Sequence, residues 1–252
     1  MTIPNSNYIN ICPGEFDTTI YRVTKVEHLI HMFESKSIVL RRPHLWDDPF
    51  ENILRHTIVK TNKENVGFEP LMNCFYGQCW TLEEESDAMW RIYTPCNNGV
   101  KIRTTIRKLL HAIYDKIDTN PDRKCFIGKL VYSNDNEITN ILRKITSMDF
   151  VTNRTFLSQS MTLLIKPNAY KYEKEIRLIY VSESELPENE QFFALNPSEL
   201  IDEVVFDSRM EENLFKIYSE KLRSLNYKGE VKKSTLYDPI KYIINKNDLH
   251  SQ

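Results

Sequence analysis

The stretch YKYEKEIRLIYVS, from Tyr170 to Ser182, decides the fold. Its apolar residues recur with the period of two that a β-strand imposes on side chains, at Ile176, Leu178 and Tyr180. On such a strand Glu173, Glu175 and Arg177 would project from the opposite face. One face of the predicted strand therefore packs, and the other carries two carboxylates and a guanidinium.

Two interpretations of this charged face are open. Neighbouring carboxylates repel unless a cation or a substrate hydroxyl lies between them, and such pairs recur where acid–base chemistry or oxocarbenium stabilisation takes place. The alternative is a solvated edge strand whose charges form a cross-strand ion pair. The motif alone does not separate the two.

The rest of the chain mixes strands and helices without a regular βαβ repeat, which favours the α+β class. Alternating β-branched residues predict a first strand over 18–23, and apolar stripes predict helices, the clearest over 106–117. The polar segment 60–70 is predicted to be a loop, and Gly77 is predicted to break the strand-like run LMNCFYGQCWT. We expect a single domain over residues 1–252, with an irregular N-terminal leader and a polar C-terminal tail.

Composition excludes several functional classes. No two of the six glycines form GxGxxG or GxxxxGK[ST], so Gly-rich phosphate loops are excluded. A net charge of −2 gives no global field for nucleic acid or anionic membranes. No apolar run reaches the roughly 20 residues that span a bilayer, so we expect a cytoplasmic protein without membrane contact. Neither the five cysteines nor the six histidines have metal-ligand spacing, so no metal is predicted.

Several other side chains are candidates for a ligand site. Tyr21 and Arg22 fall inside the first predicted strand, where an arginine next to the core usually needs a carboxylate or phosphate partner. Arg22 either pairs with Glu173 or uses its planar fork to hold a diphosphate. Trp90 and Tyr93 either stack on a base or nicotinamide ring or belong to the core.

In chain order, the segments WDDPFEN, CWT, MWRIYTPCNNGVKI, YKYEKEIRLIY and IDEVVF resemble a bacterial family known as domain of unknown function 2971. The resemblance covers most of the chain. The sequence departs from the family's usual pattern at Asp47, where the family has Asn, and at Trp80 and Thr81, where it has Phe and Ser. The family name implies no activity.

A second, looser resemblance does imply one. ADP-ribosyltransferases of the Arg-Ser-Glu type place an arginine on the first strand, a serine or threonine on a middle strand and Glu-x-Glu on a later strand. Arg22, Thr81 and Glu173 with Glu175 are similar to that set in type and order. The resemblance implies a mostly antiparallel, ADP-ribosyltransferase-like sheet with flanking helices, and NAD as a co-substrate bound without a Gly-rich loop.

The same resemblance implies a role for each residue. Glu175 would hydrogen-bond the ribose 2′-hydroxyl and stabilise the positive charge that develops at C1′. Glu173 would orient or deprotonate the acceptor. Arg22 would grip the diphosphate. The other residues expected to contact NAD are Tyr21, Thr81, Trp90 and Tyr93.

Families of this kind imply a bacterial toxin or anti-phage effector that modifies a nucleic acid or protein acceptor and is neutralised by an antitoxin protein. Three alternatives stay open at this point. A non-catalytic nucleotide-binding or antitoxin module would bind without turnover. A metal-dependent nuclease would arrange Asp47, Asp48, Glu173 and Glu175 around Mg²⁺. A purely structural protein would use Arg22 and Glu175 only for stability.

Overall fold

Most strands join one ten-stranded sheet in the computed structural model, which describes residues 3–46, 57–60, 65–67, 73–117, 124–145 and 155–239. The strands are β1 (Tyr8–Ile9), β2 (Thr19–Lys25), β3 (Ser37–Arg41), β4 (Ile58–Lys60), β5 (Asn65–Gly67), β6 (Phe75–Thr81), β7 (Gly99–Thr105), β8 (Cys125–Lys129), β9 (Val131–Ser133), β10 (Ile165–Pro167), β11 (Glu175–Val181), β12 (Glu190–Ala194), β13 (Glu203–Phe206) and β14 (Glu230–Lys233). The main path of the sheet is β1-β8-β11-β6-β2-β7-β13-β14, and β3 pairs with β6 and β12. β4 with β5, and β9 with β10, form separate two-stranded ladders.

Helices flank this sheet. They are α1 (Val26–Ser35), α2 (Asp87–Tyr93), α3 (Ile106–Tyr114), α4 (Asp135–Ile145), α5 (Phe156–Thr162), α6 (Pro197–Leu200) and α7 (Glu212–Ser224). Most strand pairs are antiparallel, the parallel ones being β1 with β8, β9 with β10 and β13 with β14. The predicted α+β class with a mostly antiparallel sheet and flanking helices is confirmed. In the part of the chain that the structure describes, no helix combines the length and apolarity needed to cross a membrane.

Helix α3 shows how the apolar pattern becomes packing. Thr105 precedes the helix and its hydroxyl accepts a hydrogen bond from the backbone N–H of Lys108, so the first turn is capped. The apolar positions at helical spacing are fully buried against the sheet, namely Ile106, Leu109, Leu110 and Ile113. The helix therefore lies on the sheet with one face.

Two local predictions are wrong. The segment 60–70 is not a loop throughout, because it contains the last residue of β4 and all of β5, and these strands pair with Val59 opposite Val66. The β-branched valines stand among polar residues, so the sequence pattern did not indicate strands there. Gly77 does not break β6, because the strand runs through it and the ring of Trp46 lies over it.

One edge of β6 is shared by two strands, β2 and β3. Along the opposite edge β6 pairs with β11 over its whole length, from Glu175 opposite Thr81 to Val181 opposite Phe75. On the shared edge it is bridged by Tyr21 of β2 at Thr81 and by Arg41 of β3 at Gly77. The two neighbours therefore diverge between these bridges and leave an opening in the sheet.

Gly77 gives a test of this arrangement. A Cβ at Gly77 would lie 3.0 Å from the Trp46 ring and 3.1 Å from the carbonyl oxygen of Leu178, so Gly77→Ala overpacks the site. We expect it to lower the free energy of unfolding by about 1–3 kcal/mol in denaturant titration. Gly14→Ala is the matched control, because a Cβ there meets nothing within 4 Å. Equal stability of the two variants would contradict this packing of Trp46.

Candidate active site

A cavity of about 90 Å³ lies where β2 and β6 diverge. It is lined by Tyr21, Arg22, Val23, Cys79, Trp80, Thr81, Met89, Tyr93, Glu173 and Glu175. Six of the seven site residues predicted from sequence line this one cavity. The exception is Trp90.

Arg22 comes from β2 and faces both the cavity and the opening in the sheet. Its Nη1 atom is inaccessible to solvent and has no hydrogen-bond partner among the described residues. Burial lowers the pKa of Arg22 to about 10, a value at which the side chain stays charged at neutral pH. A buried guanidinium nitrogen without a partner is costly, so Arg22 is poised for an anionic ligand.

Glu175 is the first residue of β11, and its carboxylate is tightly bound. Arg177 donates from Nε to Glu175 Oε1 at 2.7 Å and from Nη2 to Oε2 at 3.2 Å. The guanidinium is itself fully buried, donates to the carbonyl of Leu163 at 2.5 Å, and lies against the ring of Trp46. Because β11 lies between β6 and β8, this pair belongs to the middle of the sheet and is not a solvated edge.

Glu173 lines the same cavity but comes from a different element of secondary structure. It ends the 3-10 helix Asn168–Glu173, and Lys174 then takes a left-handed conformation with φ 43° before β11 begins. The prediction that Glu173 lies on the strand is therefore wrong, although its carboxylate still lines the cavity with that of Glu175. Lys166 of β10 is fully buried and donates to Glu173 Oε2 at 2.7 Å, with its Nζ 3.6 Å from Glu175 Oε2.

The two carboxyl groups have different acidities. Burial raises the pKa of Glu173, and the hydrogen bond and charge of Lys166 offset only part of that effect. Burial also acts on Glu175, but the charge and hydrogen bonds of Arg177 outweigh it and hold the pKa of Glu175 below its usual value. Paired carboxyl groups whose environments separate their pKa values are typical of sites that divide acid, base and charge-stabilising roles.

Thr81 and Tyr93 order the cavity wall around Glu173. The Thr81 hydroxyl donates to the backbone carbonyl of Glu173 at 2.5 Å and accepts from the N–H of Glu83 at 2.9 Å. The Tyr93 hydroxyl donates to Glu173 Oε1 at 3.4 Å, and burial raises the pKa of Tyr93, so it remains a donor. Tyr93 is 40% exposed and lines the cavity.

Trp90 is placed elsewhere. It is 1% exposed, packs with Val23 and Met89, and donates from its indole nitrogen to Glu85 at 2.9 Å. The expectation that Trp90 stacks on a ligand ring is therefore wrong, and only Tyr93 of the two presents its ring to the cavity.

A second cavity, of about 220 Å³, adjoins the first and also has Arg22 in its wall. Arg41, His28 and Gln78 bring further polar groups to it. Its apolar lining residues are Leu29, Met32, Val39, Ile102 and Phe192. Arg22 thus separates a small carboxylate-lined cavity from a larger one with mixed walls.

The alternative of a metal-dependent nuclease has little support in the described residues. Within those ranges no group of three His, Cys, Asp or Glu side chains could hold a metal ion. Asp47 and Asp48 lie outside the described residues.

Lys166 is the site residue that sequence reasoning missed. It is a single lysine in the apolar run LLIKP, at no recognised spacing from another charged residue. The signal available was its position beside apolar neighbours, since a lysine inside a buried strand needs a carboxylate partner.

Residues 89–178 match the model of a family described as "Protein of unknown function (DUF2971)". The resemblance to that family is confirmed over this segment, which carries Tyr93, Lys166, Glu173, Glu175 and Arg177. No curated protein matches the chain.

Among solved structures, the chain is similar to DarT from Thermus sp. 2.9 in complex with NAD+, with a TM-score of 0.40 and 10% identity, covering 86% of this chain and 96% of that one. The same DarT in complex with ADP-ribosylated ssDNA gives a TM-score of 0.40 and 10% identity over 90% and 97% of the two chains.

The Arg177–Glu175 pair gives a test of the site's electrostatics. Arg177→Met leaves a buried carboxylate without its main partner, so we expect about 3–5 kcal/mol loss in the free energy of unfolding at neutral pH. Arg91→Met is the control, because Arg91 pairs with Asp87 on an exposed helix face. Chemical denaturation should show little change there.

The pH dependence of the Arg177→Met defect follows from the shifts in pKa. In the wild type the folded-state pKa of Glu175 lies below its unfolded value, so this carboxylate stabilises the fold at neutral pH and ceases to do so as the pH falls through that folded value. Without Arg177, burial dominates and raises the folded-state pKa of Glu175, so the folded variant favours the protonated form. The difference in the free energy of unfolding between wild type and Arg177→Met should therefore narrow from neutral pH to about pH 5. A difference that does not change with pH would contradict this account.

Proposed function

We propose that this protein is an NAD-dependent ADP-ribosyltransferase that uses Glu175, Glu173 and Arg22. One observation carries the proposal: Arg22, whose buried Nη1 has no hydrogen-bond partner within the described ranges, lines the same cavity as two carboxylates of unlike acidity. Arg22 and the two glutamates come from distant parts of the chain and line the same cavity beside β6.

The shape of the site fits an elongated dinucleotide. The two adjoining cavities have volumes of about 90 and 220 Å³, and each is smaller than the roughly 300–1,000 Å³ that encloses a whole drug-sized ligand. An elongated dinucleotide would instead divide between the two. Arg22 lines both, so a diphosphate at Arg22 would leave one nucleoside on each side. NAD has this form, and it supplies the glycosidic bond between nicotinamide and ribose C1′ that breaks in the transfer.

Each side chain then has a role set by its surroundings. Arg22 holds the diphosphate with its Nη1 atom, which has no partner among the residues that the structure describes. Tyr93 offers a ring face to nicotinamide. Glu175, kept ionised by Arg177, accepts a hydrogen bond from the ribose 2′-hydroxyl and stabilises the positive charge that develops at C1′. Glu173, with its raised pKa, takes the proton of the attacking acceptor. Thr81 holds the backbone at Glu173.

The competing functions have weaker support. Lys166 and Arg177 already neutralise the two carboxylates, so the pair offers little net negative charge to the Mg²⁺ of a nuclease. A binding module would use the same cavities without turnover, and nicotinamide release distinguishes it from a transferase. In a structural protein the buried Nη1 of Arg22, which has no partner in the described part of the chain, would only lower stability.

We extend the proposal to an acceptor that is a nucleic acid or a protein, and to a toxin or anti-phage role with a neutralising antitoxin. The half-exposed ring of Tyr93 beside Glu173 gives an acceptor a path to the base. Radiolabelled NAD followed by separation of RNA, DNA and protein pools identifies the acceptor class.

Glu175→Gln tests the reaction. We expect the wild type to release nicotinamide and label one pool, and the variant to lower that rate by about 10²–10³-fold, because one charge-stabilising group is lost. NAD should still raise the melting temperature of the variant. Glu230→Gln, on the distant edge strand β14 and 56% exposed, should behave as the wild type. An unchanged rate in Glu175→Gln would remove Glu175 from the mechanism, and NAD binding without release in the wild type would indicate a binding module.

Arg22→Met tests the diphosphate contact and the structural alternative together. Because Nη1 of Arg22 is buried and has no partner among the described residues, removing the charge should leave the ligand-free protein at least as stable as the wild type. The same variant should lose the rise in melting temperature that NAD produces. A variant that is less stable without ligand, yet still responds fully to NAD, would refute the contact.

A further inference from the structure

The geometry points to Lys166 as a positioning residue whose ammonium holds Glu173 in its carboxylate form and so sets the lower pH limit of the proposed transferase reaction. This inference rests on the proposed function for its catalytic consequence. The charge relation between Lys166 and Glu173 rests on the structure alone.

Lys166 lies at the centre of the buried charges. Its Nζ is 2.7 Å from Glu173 Oε2 and 3.6 Å from Glu175 Oε2, and it lies 4.5 Å from the centre of the Tyr170 ring. The side chain is 0% exposed, so bulk water does not screen its charge. A cation in this position interacts with both carboxylates of the cavity.

The surroundings of Glu173 make it depend on this one cation. The titratable and charged groups that line the cavity with Glu173 or act on its ionisation come from six elements and are Lys166, Glu175, Arg177, Tyr93, Tyr132, Cys79, Tyr21 and Arg22. Arg177 is engaged by both oxygens of Glu175 and by the carbonyl of Leu163. Tyr93 is neutral, and its hydroxyl is 3.4 Å away. Within the described residues, Lys166 is therefore the charged donor within hydrogen-bond distance of Glu173.

The charge balance shows what Lys166 contributes. With Lys166 and Arg177 present, each of the two buried carboxylates has a cation in direct contact. Arg22 is a third cation at the cavity, but its buried Nη1 atom makes no hydrogen bond to either carboxylate within the described ranges. Without Lys166, Glu173 has no cation in contact among the described residues, and it relieves the cost of a buried charge by taking up a proton. A protonated Glu173 cannot accept the proton of an acceptor, so the acid side of the pH–rate profile would move upward.

The experiment compares wild type, Lys166→Met and Lys166→Arg. The Glu173 carboxyl signal is followed by NMR against pH in protein labelled with ¹³C at glutamate side chains, and Glu173→Gln identifies the signal. We expect its midpoint to rise by at least about one pH unit in Lys166→Met and to stay near the wild-type position in Lys166→Arg. The acid midpoint of nicotinamide release should move with it, while the maximal rate at high pH recovers.

Unfolding provides a second measurement if Lys166→Met is too unstable at neutral pH for NMR. A raised folded-state pKa gives stability that is present at low pH and lost as the pH rises through that value. The stability deficit of Lys166→Met should therefore be smallest near pH 5 and grow towards about pH 8. Lys166→Arg should show a much weaker dependence.

Failure of this inference is distinct from failure of the proposed function. An unchanged Glu173 midpoint, together with a stability deficit independent of pH, overturns the role of Lys166 even if the protein turns over NAD. A raised midpoint without nicotinamide release in any variant supports the Lys166–Glu173 relation and overturns the transferase. A loss of maximal rate in Lys166→Met without any shift of its acid midpoint also counts against the inference.

Discussion

The division of one strand edge between two neighbours is the constraint on which the site depends. Every strand has two edges, and β11 occupies one edge of β6 completely. β2 and β3 must share the other, so they diverge between the bridges at Thr81 and Gly77. A continuous ladder there would close the sheet over Arg22. The divergence instead leaves its Nη1 without a hydrogen-bond partner among the residues that the structure describes, and it opens the two cavities that meet at this residue.

The opposite edge of β6 carries the buried charges. Arg177 pairs with Cys79 in the register of β11 against β6, which places the Arg177–Glu175 pair next to the cavity wall. Buried ion pairs are seldom the most stable filling for a core, and apolar residues of similar volume often serve as well or better. The quartet completed by Lys166 and Glu173 is therefore better explained by the charge it presents to the cavity than by the stability of the sheet.

Sequence patterns predicted the parts of this arrangement that local chemistry encodes. The alternation from Glu175 to Val181 predicted β11, and the arginine inside the first strand predicted a cation that needs an anion. Glu173 was wrongly predicted to lie on the strand, because the turn at Lys174 depends on a left-handed backbone conformation. A lysine gives no sequence signal for that conformation. Lys166 was missed because its pairing with Glu173 joins two elements in space, and a single lysine has no periodicity.

The two carboxyl groups illustrate how the fold gives one residue type two behaviours. Glu175 begins a central strand, where Arg177 two positions later reaches both of its oxygens and keeps it ionised. Glu173 lies two residues earlier, at the end of a 3-10 helix. There the effect of burial outweighs that of the Lys166 ammonium and raises the pKa of Glu173. The cavity therefore has one carboxyl group that stays ionised and one whose protonated form is favoured by burial. The change of backbone at Lys174 produces this difference, because it brings both carboxylates to one cavity while giving each a different counter-ion.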